Sequence, residues 1–273
     1  MLAFVHIEKT AGTSLIHILR RNYFLRYLDV RPYNTSSKGV FLPEDLSVGL
    51  RINPFIECIA GHAIHPYVGL ERVVGKIDYI TVLRDPVKRY VSQYQHWVEK
   101  KGLHIAFEEF MEHEELHDLQ CRKIAGAADS EQAIDMISDK FITVGVLERF
   151  DEFLVLLRRT LGWGKGSIRY AVRNTARNRG LAAGILEKYR DEIVERNQED
   201  KRLYDYVVNE VVPRQIDRYG EGFKEDVQRF RRENGGRFIS PKLAVDYGVR
   251  KFYYEPVSGM IRRLHGLPMA GSY

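Results

Sequence analysis

The sequence predicts an α/β fold, a three-layer arrangement with one parallel sheet and helices on both faces, and three observations carry that prediction. Short apolar runs rich in β-branched and aromatic residues alternate along the chain with stretches of helical periodicity, the pattern of strands joined by crossover helices. Two of these runs end directly in helix-start signals, so strand feeds helix without a hairpin turn between them. The 273 residues are 44% hydrophobic and 29% charged, enough apolar material for one sizeable core under a charged surface.

The first strand is expected over residues 2 to 7, Leu2-Ala3-Phe4-Val5-His6-Ile7, followed by a helix over 14 to 22 that begins in the apolar stretch from Leu15. From Arg31 to Asn53, Pro32, Pro43 and several Ser and Gly residues predict a long excursion forming part of a cleft. Strands follow at 56 to 60 and 77 to 83, and a helix over 86 to 100 opens with Asp85 as N-cap and Pro86 at the first helical position. A strand at 141 to 146 and a helix at 148 to 161 complete the alternation. Helices over 183 to 196 and 199 to 212 carry charges at mixed spacing and are expected as a solvated outer layer. Asn174 to Gly180 reads either as a lid or as a plain solvated loop. The domain is expected to span 1 to 234. Beyond Gly235-Gly236 the pattern breaks into short aromatic and basic pieces, so 235 to 273 is read as an extension that packs on the domain or on a neighbour.

Parallel sheets gather ligands at the carboxyl ends of their strands, and the chemistry-bearing residues fall there. After the first strand comes Glu8-Lys9-Thr10-Ala11-Gly12-Thr13-Ser14. A loop and helix start of this kind aims backbone amides at an anion, Lys9 adds positive charge, Thr10, Thr13 and Ser14 add hydroxyls, and Gly12 allows close approach. It is not the nucleotide-triphosphate loop G-x-x-x-x-G-K-[ST], because Lys9 precedes Gly12 and no Gly opens the loop. Arg84 stands at the end of the strand over 77 to 83, and Ser92 lies about two turns into the next helix. An Arg fork suits recognition of a phosphate. Between these elements an apolar run ends in Gly61-His62-Ala63-Ile64-His65.

His6-Ile7-Glu8-Lys9-Thr10-Ala11-Gly12-Thr13-Ser14 resembles the 5′-phosphosulfate loop of sulfotransferases that use 3′-phosphoadenosine 5′-phosphosulfate (PAPS). It looks most like the carbohydrate branch related to heparan sulfate 2-O-sulfotransferases, with Glu8 where that family usually has Pro. Arg84-Asp85-Pro86-Val87-Lys88-Arg89-Tyr90-Val91-Ser92 resembles the family's 3′-phosphate element, R-x-P-x-x-R-x-x-S, with Arg89 at the inner Arg place. His117 to Gly126, Val144 to Asp151, and Asn197 with Asp200, Leu203 and Tyr204 resemble later family segments, so the likeness covers about residues 1 to 220. The resemblance implies a P-loop-like sulfotransferase fold. It implies donor binding by Lys9, Thr10, Ala11, Gly12, Thr13, Ser14, Arg84 and Ser92, release of the desulfated product PAP, and catalysis by Lys9 with His62 as base; His65 is the reserve. Gln120 and Arg122 are either cleft-lining or parts of a structural helix. The acceptor it implies is a hydroxyl of a glycan or glycolipid, with no metal.

The 42 basic and 37 acidic residues give a net charge of +5, which suits an anionic donor and does not by itself imply nucleic acid, and none is expected as a partner. Cys58 and Cys121 fall in no metal-ligand spacing and form no disulfide framework, which favours a reducing compartment. No apolar run is long enough to span a bilayer, and Met1 stands directly before the first strand, so a cytoplasmic, bacterial-type enzyme is the expectation. Two other classes stay open: a non-catalytic sulfotransferase-like module that binds anions or glycans, and a nucleotide kinase on a related fold. Acceptor identity and oligomeric state are not specified by the sequence.

Overall fold

The computed structural model describes residues 1–33, 39–171, 179–234, 245 and 247–264. Its centre is a five-stranded sheet of β1 (Leu2–Val5), β2 (Tyr27–Asp29), β3 (Cys58–Gly61), β4 (Asp78–Leu83) and β5 (Phe141–Val146), in the order β2-β3-β1-β4-β5. Every neighbouring pair is parallel.

Side-chain alternation explains why helices cover both faces. Ala3, Val5, Ile59, Tyr79, Leu83, Val144 and Val146 belong to one apolar cluster, while Leu2, Phe4, Cys58, Ala60, Ile80 and Val82 belong to a second. Successive residues of a strand point to opposite faces, so strands that are apolar on both faces need a layer on each side. The first face packs under α2 (Pro43–Ile52), α6 (Leu119–Ala125), α7 (Ser130–Lys140) and the segment continuing α10 (Gln198–Tyr206) through a π-helical turn, Val207–Val211, into α11 (Val212–Tyr219). The second packs under α1 (Gly12–Tyr23), α8 (Phe150–Thr160) and α12 (Phe223–Glu233). The short helices α3 (Glu71–Val74) and α5 (Phe107–Met111) fill connections. A third cluster, away from the sheet, joins α4 (Pro86–Glu99), α5 and α9 (Arg179–Glu195) through Tyr90, Tyr94, Phe107, Phe110, Tyr189 and Ile193.

The four expected strands are present, and the start of α4 follows its signals: the Asp85 carboxylate accepts the Lys88 amide at 2.9 Å, with Pro86 at the first position. Three expectations are corrected. The edge strand β2 was not foreseen, since three residues carry too little period to read. The excursion over 31 to 53 contains helix α2, which Asp45 anchors by accepting the amides of Tyr33 and Leu42. The late helices are not a solvated layer: Ile185, Tyr189 and Ile193 are buried on α4 and α5, and Leu203, Val207 and Val212 enter the core.

The stretch Asn174–Gly180, read as a lid or a plain loop, lies outside the described residues up to 178; Arg179 and Gly180 begin α9. Of the extension, residues 235–244, 246 and 265–273 also lie outside them. The described part holds a π-helical turn, Arg250–Tyr254, running into α13 (Glu255–Leu264). It meets the body where Arg250 pairs with Asp29 at 3.5 Å, Asn53 Nδ2 donates to the Tyr254 hydroxyl, and Ile261 packs on the core.

Candidate active site

The sheet order places β1 between β3 and β4: the chain runs from β1 to β2 and β3 on one side and then crosses to β4 on the other. At such a switch point α/β proteins bind ligands beyond the carboxyl ends of the strands. Val5 is level with Gly61 on one side and Thr81 on the other. The next residues on each strand therefore converge: Lys9 after β1, His62 after β3 and Arg84 after β4.

The loop after β1 is held in an unusual shape. Lys9 and Ala11 both adopt positive φ, 69° and 67°, conformations that cost non-glycine residues free energy and recur at ligand-binding turns. Thr10 is fully buried, and its hydroxyl donates to the Ile7 carbonyl at 2.9 Å, which cross-braces the turn. The turn leads into the twelve-residue helix α1, which has no acidic residue at its start, a setting in which backbone amides can receive an anion. Gly12 meets a constraint the sequence did not show: a Cβ there would lie 1.7 Å from the His6 Nε2 atom, so the glycine makes room for the His6 ring. Ser14 is buried, while Thr13 is exposed at the mouth of the turn.

Arg84 is tied to this loop and fixed from behind. One of its guanidinium nitrogens donates to the Lys9 carbonyl at 3.0 Å. Its backbone amide donates to Gln120 Oε1 at 2.9 Å, and its carbonyl accepts from Gln120 Nε2 at 3.0 Å. Gln120 is completely buried, so of the two residues read as cleft-lining or structural it acts by orienting Arg84, while Arg122 is exposed and donates to the His117 carbonyl. Burial and then the neighbouring Arg84 and Lys100 lower the Lys9 pKa, with Glu99 opposing; burial also lowers that of Arg84, opposed by Glu148 and Asp85. Two partly buried cations thus share one turn, an arrangement that a bound anion would relieve. The cradle, the paired cations and the amides fit a sulfate or phosphate group. Ser92 lies two turns into α4, partly buried. Arg89 is fully buried, donates to the Leu116 carbonyl at 2.8 Å and approaches Asp200 to 3.9 Å, so it braces the scaffold.

His62 sits half exposed at the end of β3. Its Nδ1 lies 2.8 Å from the His6 carbonyl oxygen, which can only accept, so Nδ1 carries the proton and Nε2 keeps a free lone pair. The ring stacks on His6, centroids 3.8 Å apart. Burial lowers the His62 pKa, Glu8 raises it, and Lys123 lowers it again; the net shift is down, which favours the neutral ring. His65 is buried, donates through Nδ1 to the Lys123 carbonyl at 3.1 Å, and is pushed down to about 4 by burial and Lys123. His6 is also held well below its usual range, by burial and then by His62, Lys123 and Lys9.

Sequence reasoning missed Lys123, His6 and His96. The His96 ring on α4 has its pKa lowered by burial and then by Lys9, Lys101, Lys100 and His62, so α4 leans a basic flank over the same opening. No local spacing links Lys123 or His96 to the loop after β1, and only the packing of α6 and α4 brings them there, while His6 opens that loop and its stacking on His62 is what the sequence did not show. A separate cavity, lined by Arg20, Asp29, Arg31, Tyr33, Arg250 and Tyr254, lies between the β2 edge and the extension and touches none of these groups. Among the described residues no cluster of three or more His, Cys, Asp or Glu has the arrangement of a metal site, and no helix is long and apolar enough to cross a membrane.

Fold and strand-end placement together define a doubly wound α/β protein in which the Lys9 turn, Arg84 and His62 meet at one end of the sheet. No family model matches the chain. It is similar to galactose-3-O-sulfotransferase 3 of Mus musculus and of Homo sapiens, each 25% identical over 269 residues, covering 87% of this chain and 62% of the relative. A shorter similarity, 30% identical over 110 residues, covers 35% of the chain and 27% of heparan-sulfate 6-O-sulfotransferase 1-B of Danio rerio. The chain spans about three-fifths of the length of the galactose-3-O-sulfotransferases it matches, 62%. These similarities support the sulfotransferase family for this chain.

Proposed function

We propose that the protein transfers the sulfuryl group of PAPS to a hydroxyl of a carbohydrate or glycoconjugate by in-line displacement, in the cytoplasm. The observation that carries this reading is the convergence of the Lys9 turn, Arg84 and the Nε2 lone pair of His62 at one end of the sheet. The donor supplies an activated sulfuryl group and a phosphate leaving group. Lys9 and the amides after it hold charge that builds on the leaving oxygen, Arg84 with Ser92 holds the 3′-phosphate, and His62 Nε2 takes the acceptor proton. The new bond joins acceptor oxygen to sulfur, the bond broken joins sulfur to the phosphate oxygen, and the proton resides on His62.

The acceptor class draws support from the relatives, whose names specify galactose 3-O and heparan sulfate 6-O positions. The loop itself resembles the 2-O branch, and what these share is a carbohydrate hydroxyl. Lys9 before Gly12 argues against a nucleotide kinase. Calorimetry with PAP, paired with transfer of label from PAPS to a glycan panel, tests the proposal. Binding of PAP well above that of 5′-AMP, together with labelled glycan, is the expected result. Binding without transfer would favour a non-catalytic anion-binding module, and no heat with either nucleotide would end the sulfotransferase reading.

A further inference from the structure

Glu8 occupies the place where the resembled loop usually carries Pro, and it has acquired partners. Its Oε1 lies 3.4 Å from His62 Nδ1 and 3.3 Å from Lys123 Nζ, and Lys123 Nζ also donates to the His62 carbonyl at 2.8 Å. The three residues close a ring: carboxylate to imidazole, carboxylate to ammonium, ammonium back to the backbone of the imidazole residue. They come from three elements, the β1 loop, the end of β3 and α6. Glu8 and Lys123 are largely covered, with side-chain exposures of 28% and 15%, whereas His62 reaches the opening. The carboxylate therefore meets the ring at Nδ1 and the ammonium holds the backbone of the same residue, with Nε2 left unengaged by either.

We propose that Glu8 and Lys123 are a positioning pair for His62, the carboxylate steadying the ring as it takes the acceptor proton and the ammonium fixing both the carboxylate and the backbone of the base. This rests on the sulfotransfer reading for its catalytic meaning, although the pair itself is a property of the apoprotein. Before transfer, His62 Nδ1–H is satisfied by the His6 carbonyl. After transfer Nε2 also holds a proton, and the positive ring faces Glu8 as its nearest anion. The groups that face His62 carry mixed charge. Glu8, Lys9 and the His6 ring come from the β1 loop, Lys123 from α6 and His96 from α4. Glu8 is the one acid in that set, so its removal exposes the imidazolium to Lys123 and Lys9. Burial pushes the Glu8 carboxyl up, but Lys123, His62 and its own backbone hydrogen bond outweigh this and hold it ionised.

Two substitutions with opposite signs make the test. In Glu8→Gln the His62 midpoint should fall by about one pH unit, and in Lys123→Gln it should rise; an opposite charge at this range typically shifts a group by about one unit or more. The readout is the pH titration of His62 ring resonances by NMR in the full chain, assigned with His62→Gln, which needs neither donor nor turnover. In the transfer assay the acidic limb of the turnover profile should move with the same signs, and Glu8→Asp should recover part of the Glu8→Gln shift. Opposite shifts uphold the pair whether or not transfer is detected. Shifts of the same sign, or none in either variant, overturn it, because a general loss of packing would not reverse sign between the two. Failure of transfer in the parent protein counts only against the sulfotransfer reading.

Discussion

Lys9 does its work from a backbone conformation its side chain alone would not choose. Positive φ at Lys9 and Ala11 shapes the turn before α1, and Arg84 ties that turn down through the Lys9 carbonyl. The two cations should therefore fail differently. Lys9→Ala is expected to lower turnover by about a hundredfold or more, the scale of losing one transition-state donor. Arg84→Ala is expected chiefly to raise the KM for PAPS and to erase its advantage over the 3′-dephospho analogue. Steady-state kinetics of both variants check this, and unchanged turnover in Lys9→Ala would remove it from the chemistry. At this scale the turn was legible: a Lys, a Gly and hydroxyls after a strand mark a loop and helix start because they are neighbours in the chain. Two roles were not. Thr10 spends its hydroxyl on the Ile7 carbonyl, and Gly12 yields space to His6, which only coordinates could show.

At the scale of elements, α6 reaches the site through Gln120 and Lys123, and α10 holds α6 from behind. Asp200, fully buried at the start of α10, accepts the amides of Gln120 at 3.1 Å and Cys121 at 2.8 Å, which caps α6. In return Asp118 accepts the Asp200 amide at 2.9 Å, and Asn197 accepts the amide of Asp118 at 3.2 Å. Gln120 then pins the backbone of Arg84, so a helix near residue 200 sets the position of a strand end near residue 84. Asp200 also faces the buried Arg89 at 3.9 Å. Asp200→Asn should consequently destabilise the fold by about 3 to 5 kcal/mol, the cost of leaving a buried charge unpaired. Urea denaturation measures it, and adding Arg89→Met should recover part of the loss. A change below about 0.5 kcal/mol, within the range of ordinary surface substitutions, would mean the pair carries no such weight. The sequence displayed both segments as family-like stretches but could not show that they cap each other, because eighty residues separate them.

Across the whole molecule, buried histidines make the fold sensitive to acid. His65 is lowered from its ordinary value to about 4, and His6 is lowered too, so both are neutral when folded and free to protonate when unfolded. The unfolded chain then binds more protons below about pH 6.5, and stability must fall as pH drops through that value. For His65 the loss should continue to about pH 4, where the folded state also protonates. Each such group contributes at most about 1.4 kcal/mol per pH unit within its window. Urea midpoints between pH 7.5 and 4.5 should therefore decline, less steeply in His65→Gln; a flat profile would contradict burial of these rings. The alternation of apolar strands and helix starts settled the layered parallel architecture from the sequence, since period and capping are properties of adjacent residues. The loop from Lys9 to Ser14 and the strand-end placement of His62 and Arg84 were determined in the same local way. Only the tertiary structure decided that Arg89 braces the core, that the late helices are buried, and that Glu8, His62 and Lys123 close one ring. Those facts depend on which distant surfaces meet, and contact between residues far apart in the chain leaves no mark in the spacing of either one.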